Sequence, residues 1–372
     1  MAAEKRPGKP APVYSISQVT PGWLSQVLGA EVLACKAEEI GADQAFTGCK
    51  LFRLHLRYDQ RDTGRPGSIV IKVAAGSRAD RQKLSFANSN ETACYEQLGP
   101  TLGGRMAQCH FAAHELEGAH SLLVLEDVFP AQAVDFIKGC RPAQAGVVTD
   151  GLAAIHSATC TDARLGAVAK DPIGAHVDFA ALWSGYRRTL EDLMPELEMP
   201  QALCDLAQAI AGDQTGFLGR LQAGDHRSIL HRDAHIDNIL FDNLKGQPRA
   251  RFVDWQLSGV GPGGLDLGYF LISSLTPETR RAHETTLVTR YARAVNAHGM
   301  GYGLDQIARD LRAAAGWKLF VTVLATQMMN NATAHKRRWR RVDLVRLAAF
   351  VQDHRITPDD IRGRTRPNSA TS

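Results

Sequence analysis

The stretch from Ile229 to Asp254 constrains the chain more than any other part of it. It interrupts a half otherwise built from Ala- and Leu-rich helical runs, and its two short apolar runs flank the turn-forming Asn243-Leu244-Lys245-Gly246-Gln247-Pro248. Such a pattern predicts a β-hairpin. The stretch holds His231-Arg232-Asp233-Ala234-His235-Ile236-Asp237-Asn238, and Asp254 follows 254 − 238 = 16 residues after Asn238. A hairpin would therefore return Asp254 beside Asp233 and Asn238. Phosphoryl transfer asks a protein for positioning and charge neutralisation more than for covalent chemistry. One carboxylate for an attacking hydroxyl, with an amide and a second carboxylate for Mg²⁺, would meet that need.

The rest of the chain divides in character near residue 127. Residues 1–12 are rich in Pro, Lys and Ala and are expected to form a mobile tail. Apolar positions from Val19 to Leu28 recur at helical spacing before Gly29. Two strand-like runs, Leu51–Tyr58 and Ser68–Val73, flank the turn at 62–67 and predict a hairpin. A helix around Asn90–Leu98 and a strand over Ser121–Glu126 follow. Beyond Asp127 the runs 143–158, 178–194, 201–222 and 277–354 are helical, and the tail after Arg362 is polar and expected to be loose. A β-rich front and a helix-rich back predict an α+β protein of two lobes, 1–127 and 128–372.

Composition narrows the function. At 372 residues the chain exceeds the size of a single core. A net charge of +4, with no aromatic-interleaved basic tract in the first 330 residues, argues against bulk nucleic-acid binding and for a small ligand. No apolar run reaches membrane-spanning length, and no apolar segment follows the basic start as a secretory signal requires. Seven scattered cysteines without C-x-x-C pairs read as reduced thiols in a cytoplasm.

The octapeptide His231–Asn238 is similar to the catalytic loop H-[RG]-D-x-x-x-x-N of the protein-kinase-like superfamily, and Asp254 falls where those enzymes keep a metal-binding Asp. Asp254-Trp255-Gln256 in place of Asp-Phe-Gly, followed by Gly261-Pro262-Gly263-Gly264-Leu265-Asp266-Leu267-Gly268-Tyr269-Phe270, resembles the aminoglycoside phosphotransferase and choline kinase clan, closest to its ecdysteroid-kinase-like branch. The resemblance implies a two-lobed kinase-like fold, ATP and Mg²⁺ as cofactors, and a small-molecule hydroxyl as acceptor, a lipophilic or sterol-like alcohol by branch likeness. It makes Asp233 the catalytic base and Asn238 and Asp254 the Mg²⁺ ligands. His231 takes a structural place that orders the loop, and Asp266 either ties the following loop to it or caps a helix. Arg232 departs from the Gly usual in this clan. No Ala-Pro-Glu segment follows Asp254, which argues against a protein substrate.

In the front half, Lys72 stands inside the apolar strand Ile69-Val70-Ile71-Lys72-Val73, where an ammonium requires an anionic partner. By resemblance it meets nucleotide phosphates and a helix carboxylate. Glu91 fits the E-x-x-x-Y pattern of the clan, with Glu96 as a nearby competitor. Leu122-Leu123-Val124-Leu125-Glu126-Asp127-Val128 resembles the segment joining the lobes, so backbone groups of Glu126, Asp127 and Val128 would bond adenine. A phosphate-covering loop is expected between the first two strands, at 41–48, where glycine-freed amides could cradle phosphate. The cluster His335–Arg341 reads as a charged helix end or an anion contact, and Met328-Met329 as packing. Three other readings stay open. One is an antibiotic kinase of the same clan, another a nucleotide-binding pseudokinase, and the third a metal-dependent hydrolase using the alternating His231, Asp233, His235 and Asp237.

Overall fold

The computed structural model describes residues 10–41, 48–59, 64–131, 133–160, 162–168, 177–244, 246–328 and 333–363. The expectations for the terminal tails, the 41–48 loop, the 62–67 turn and Met328-Met329 lie wholly or partly outside the described residues. The chain divides into two compact units, residues 1–129 and 130–372.

The first unit is a five-stranded antiparallel sheet with two helices. Its elements are α1 (Pro21–Leu28), β1 (Val32–Ile40), β2 (Cys49–Tyr58), β3 (Ser68–Ala74), α2 (Arg78–Leu102), β4 (Cys109–Glu115) and β5 (His120–Glu126), with strand order β1-β2-β3-β5-β4. Thr20 caps α1 by accepting from the Trp23 N–H, and Pro21 stands at the first turn, where its missing N–H is no loss. Alternation in β3 sends Ile69, Ile71 and Val73 to one face, where they pack with Trp23, Leu24, Leu54, Leu122 and Val124. Lys72 consequently points the other way, toward α2. That helix opens on a reciprocal Ser77–Asp80 capping box and runs 25 residues, far beyond the single stretch at 90–98 expected from the sequence.

Strand β4 was not anticipated, and β1 only through the expectation that a loop at 41–48 joins the first two strands. Both are the edges of the sheet. Edge strands carry charge on exposed positions, as Lys36, Glu38 and Glu39 do in β1, which suppresses pairing with other chains and also erases the apolar alternation that marks a strand.

The second unit is mainly helical: α3 (Pro142–Thr159), α4 (Leu165–Val168), α5 (Phe179–Leu193), α6 (Gln201–Gly212), α7 (Gln214–Gln222), α8 (Gly264–Ser274), α9 (Pro277–Asn296), α10 (Leu304–Met328), α11 (Ala334–Asp353) and α12 (Pro358–Arg362). The run 201–222, read as one helix, is two. Asp213 ends α6 with non-helical backbone and its carboxylate accepts the Gly216 N–H, starting α7. The hairpin is β7 (Ile239–Leu244) with β8 (Gln247–Phe252). The expected hairpin began at Ile229. Instead Arg227–Leu230 forms β6 and pairs with Gly259–Pro262, β9, so the catalytic-loop motif lies between two small sheets. Every residue of α8 is buried, which makes it the central helix of this unit.

Candidate active site

In the first unit, the Lys72 ammonium lies 2.8 Å from the Glu91 carboxylate, with the two side chains 11% and 2% exposed. Glu96, the competing partner, is exposed on the same helix. At the end of β5, Asp127 spends its carboxylate within the unit. It accepts from Arg53 at 2.7 Å, the Ser68 hydroxyl at 2.7 Å and the Phe129 N–H at 3.2 Å. Burial raises this carboxyl, but Arg53 and Ser68 outweigh burial and hold it below the ordinary range. The Glu126 N–H already donates to the Gln108 carbonyl at 2.8 Å. Any adenine contact along this segment therefore falls to other backbone groups than the Glu126 amide.

In the second unit the motif folds around Asp233. Its Oδ1 accepts the Tyr269 hydroxyl at 2.6 Å, and its Oδ2 accepts the Asn238 amide at 3.1 Å. Burial alone would raise the Asp233 carboxyl; the neighbouring His235, the Tyr269 hydroxyl and His231 outweigh it and hold the group below its usual range. Asp233 is thus kept ionised, as a proton acceptor must be. With its nitrogen committed to Asp233, Asn238 keeps Oδ1 as the amide atom able to take a cation. The Val253 N–H donates to the Asn238 carbonyl at 3.0 Å, so Asn238 and Asp254 stand at the same open end of the β7–β8 hairpin. A carboxylate with an amide oxygen is a hard oxygen set of the kind Mg²⁺ prefers.

Two backbone features mark the loop. Non-glycine residues with positive φ among the described residues are Ala119, Arg232, Asp254 and Arg355, so two of the four fall in this motif. Strained backbone of this kind concentrates at functional sites. His231 accounts for part of the stability there. Its Nε2 meets the Val253 carbonyl at 2.9 Å and its Nδ1 accepts the Asp233 N–H at 3.3 Å. Both ring nitrogens are thereby engaged by backbone, which removes His231 from the metal-hydrolase set, and the 3₁₀ turn Ile236–Asn238 breaks the extended alternation that set requires.

Helix α8 supplies the anchor. Asp266 and Tyr269, three residues apart and so on one helix face, both reach the loop. The Asp266 carboxylate accepts the N–H groups of His231 at 2.6 Å and Arg232 at 2.8 Å, and lies 3.3 Å from His156 Nε2. Arg232 is buried with its guanidinium on the Val260 carbonyl and over the Trp317 ring. Burial pushes it down to about 10, with Asp266 acting in the opposite sense, so it stays charged at neutral pH.

Several residues here carried no sequence signal as site residues. Tyr269, Lys318 and Asp343 come from three separate helices. Trp339, hidden inside the basic cluster 335–341, stacks on Phe136 at 4.2 Å and donates to Asp237 at 3.1 Å. His235, read in the sequence only as a member of the metal-hydrolase set, lies between two carboxylates, 3.6 Å from Asp233 and 3.8 Å from Asp237. A cavity of about 780 Å³ lined mainly by apolar side chains such as Leu197, Pro200, Leu344 and Ile356 includes none of these groups.

The model of the ecdysteroid kinase-like family matches residues 47–299. This chain belongs to that family. The match spans 299 − 47 + 1 = 253 of the 372 residues and takes in Lys72, Glu91, the whole 231–254 motif and Tyr269. No curated protein matches the sequence significantly. Among solved structures, an ethanolamine kinase of Plasmodium vivax superposes with a TM-score of 0.52 at 12% identity, covering 86% of this chain and 83% of its own. A choline/ethanolamine kinase family protein from Mesorhizobium loti gives 0.50 at 16% identity, over 88% and 92%. An amicoumacin kinase in complex with AMP-PNP, Ca²⁺ and its ligand gives 0.50 at 12%, over 85% and 88%. At these identities the likeness is one of fold, the α+β two-lobed kinase-like fold. Among the described residues no helix is long and apolar enough to cross a membrane, and none of the seven cysteines forms a disulfide.

Proposed function

We propose that this protein transfers the γ-phosphoryl group of ATP to a hydroxyl of a small molecule, with Asp233 as the group that positions the hydroxyl and accepts its proton. The observation that carries the reading is the double tether of Asp233. Both its oxygens are held, by Tyr269 and by Asn238, and the Asn238 tether leaves an amide oxygen able to take a divalent cation at the hairpin end that also carries Asp254. Mg²⁺ at Asn238 and Asp254 would neutralise phosphate charge. Lys72, oriented by Glu91, is assigned to the nucleotide phosphates, residues 126–128 to the adenine edge, and residues 1–127 and 128–372 to the nucleotide-binding and catalytic lobes. His231 and Asp266 act as supports that fix the loop.

Family membership supports a hydroxylated, lipophilic acceptor of sterol-like character over an aminoglycoside. The thiols fit a reducing compartment such as the cytoplasm. The first test is thermal: saturating Mg·ATP at 100 times its Kd should stabilise the protein by about 2.7 kcal/mol. ATP with a chelator should give much less. The second is a panel of hydroxylated compounds assayed for ADP production, in which sterol-like alcohols are expected to stimulate turnover. Mg·ATP-independent melting together with no ADP from any compound would overturn the proposal, and labelling of a peptide with no small-molecule activity would overturn the acceptor class.

A further inference from the structure

Below Tyr269 lies a pair of buried charges that the proposed reaction does not use directly. Lys318 on α10 and Asp343 on α11 form an ion pair at 2.8 Å, with their side chains 2% and 0% exposed. The Lys318 ammonium sits 4.9 Å from the centre of the Tyr269 ring, and Asp343 also accepts the Thr322 hydroxyl at 2.9 Å. Desolvating two charges is so unfavourable that a buried ion pair rarely stabilises a fold more than apolar side chains of the same volume. Stability is therefore a poor account of why charges stand here.

Their position gives a better one. Asp343, Lys318, Tyr269 and Asp233 follow one another through the unit, each from a different element, and the line ends on the carboxylate at the centre of the site. The ammonium over the ring face holds the ring plane by cation–π attraction, and the ring plane sets where the phenol oxygen lies. That phenol is 2.6 Å from Asp233 Oδ1. We infer that Tyr269 is a positioning residue for Asp233 and that the Lys318–Asp343 pair fixes the direction of the Tyr269 hydroxyl. Tyr269 exchanges no proton in this role: burial, with the Asp233 charge beside it, pushes the phenol well above its ordinary value and keeps it a donor. The inference rests on the kinase reading of Asp233.

The test compares the wild-type chain with Tyr269→Phe, with the paired replacement Lys318→Met/Asp343→Leu, which removes both members of the pair together, and with all three changes together. Mg·ATP is the probe, with affinity from calorimetry and turnover from ADP release with water as acceptor. Tyr269→Phe is expected to lower kcat by roughly 10–100-fold, the scale of a small misplacement of a reacting group, while Mg·ATP affinity stays within about twofold. The paired replacement should lower kcat too, but add no loss in the Tyr269→Phe background, since both act through one hydroxyl. Unchanged kcat in Tyr269→Phe, a loss of affinity parallel to kcat, or additive losses would overturn the inference. Crystal structures of Tyr269→Phe and of the paired variant separate this outcome from failure of the kinase reading. The Asp233 carboxylate is expected to leave its present orientation, and an unmoved carboxylate overturns the inference whether or not the wild type turns over ATP. Should the paired variant not fold, Tyr269→Phe decides alone.

Discussion

Arg232 occupies a left-handed backbone conformation, φ +61, that a β-carbon disfavours. The glycine usual at this motif position in the clan would meet no such penalty. The chain keeps an arginine because its neighbours are built around one: the guanidinium lies over Trp317, bonds Val260 and fills the space left by Gly259. A β-carbon on Gly259 would stand 2.2 Å from the Arg232 Cζ, a contact the buried guanidinium cannot yield without losing its partners. Gly259→Ala should therefore destabilise the protein by about 1–3 kcal/mol, the scale of overpacking, read from urea unfolding midpoints. A change below about 0.5 kcal/mol, the surface norm, would mean that Arg232 is not held as described. The motif residues Asp233, Asn238 and Asp254 were legible in the sequence because their spacing is local and carries its own chemistry. The partners of Arg232 were not, since they come from residues 260, 266 and 317.

At the scale of elements, the corner where β9 enters α8 sets the anchor for the loop. The Tyr302 hydroxyl accepts the Gly264 N–H at 3.0 Å and donates to Asp310 on α10. Burial raises the Asp310 carboxyl to about 6, against the pull of the Tyr302 hydrogen bond and Arg309. A carboxyl whose folded value lies above its unfolded one binds more protons in the folded state between the two values. Stability from this group is thus greatest at acid pH and is lost as pH rises from about 4 to about 6, by roughly 2–3 kcal/mol in all. Asp310→Asn has no such loss, so its stability relative to wild type should improve over that window in parallel denaturation curves. A pH-independent difference between the two would contradict the assignment. Elements were legible where one face is buried and one is not, as in β2, β3 and α3. Polar edge strands such as β1 and β4, and β6, which pairs with a strand about 30 residues further on, carry signals that local periodicity does not contain.

For the molecule as a whole, the α+β fold and the kinase-like family were readable from short motifs in order along the chain, Lys72 before Asp233 before Asp254, although identity to the solved structures compared is only 12–16%. The helical support of the site was not readable, because it depends on how α8, α10 and α11 pack. The account stands on two acidic residues with different tasks. In the proposed reaction Asp233 would act on the acceptor hydroxyl, and Asp254 would hold the cation that neutralises the nucleotide phosphates. Calorimetric titration of Mg·ATP into wild type, Asp233→Ala and Asp254→Ala, alongside ADP release, tests this directly. Asp233→Ala should bind Mg·ATP much as wild type does while turnover falls by about 10²–10⁴, and Asp254→Ala should lose both affinity and turnover. Equal loss of Mg·ATP affinity in the two variants, or undiminished turnover in either, would contradict it.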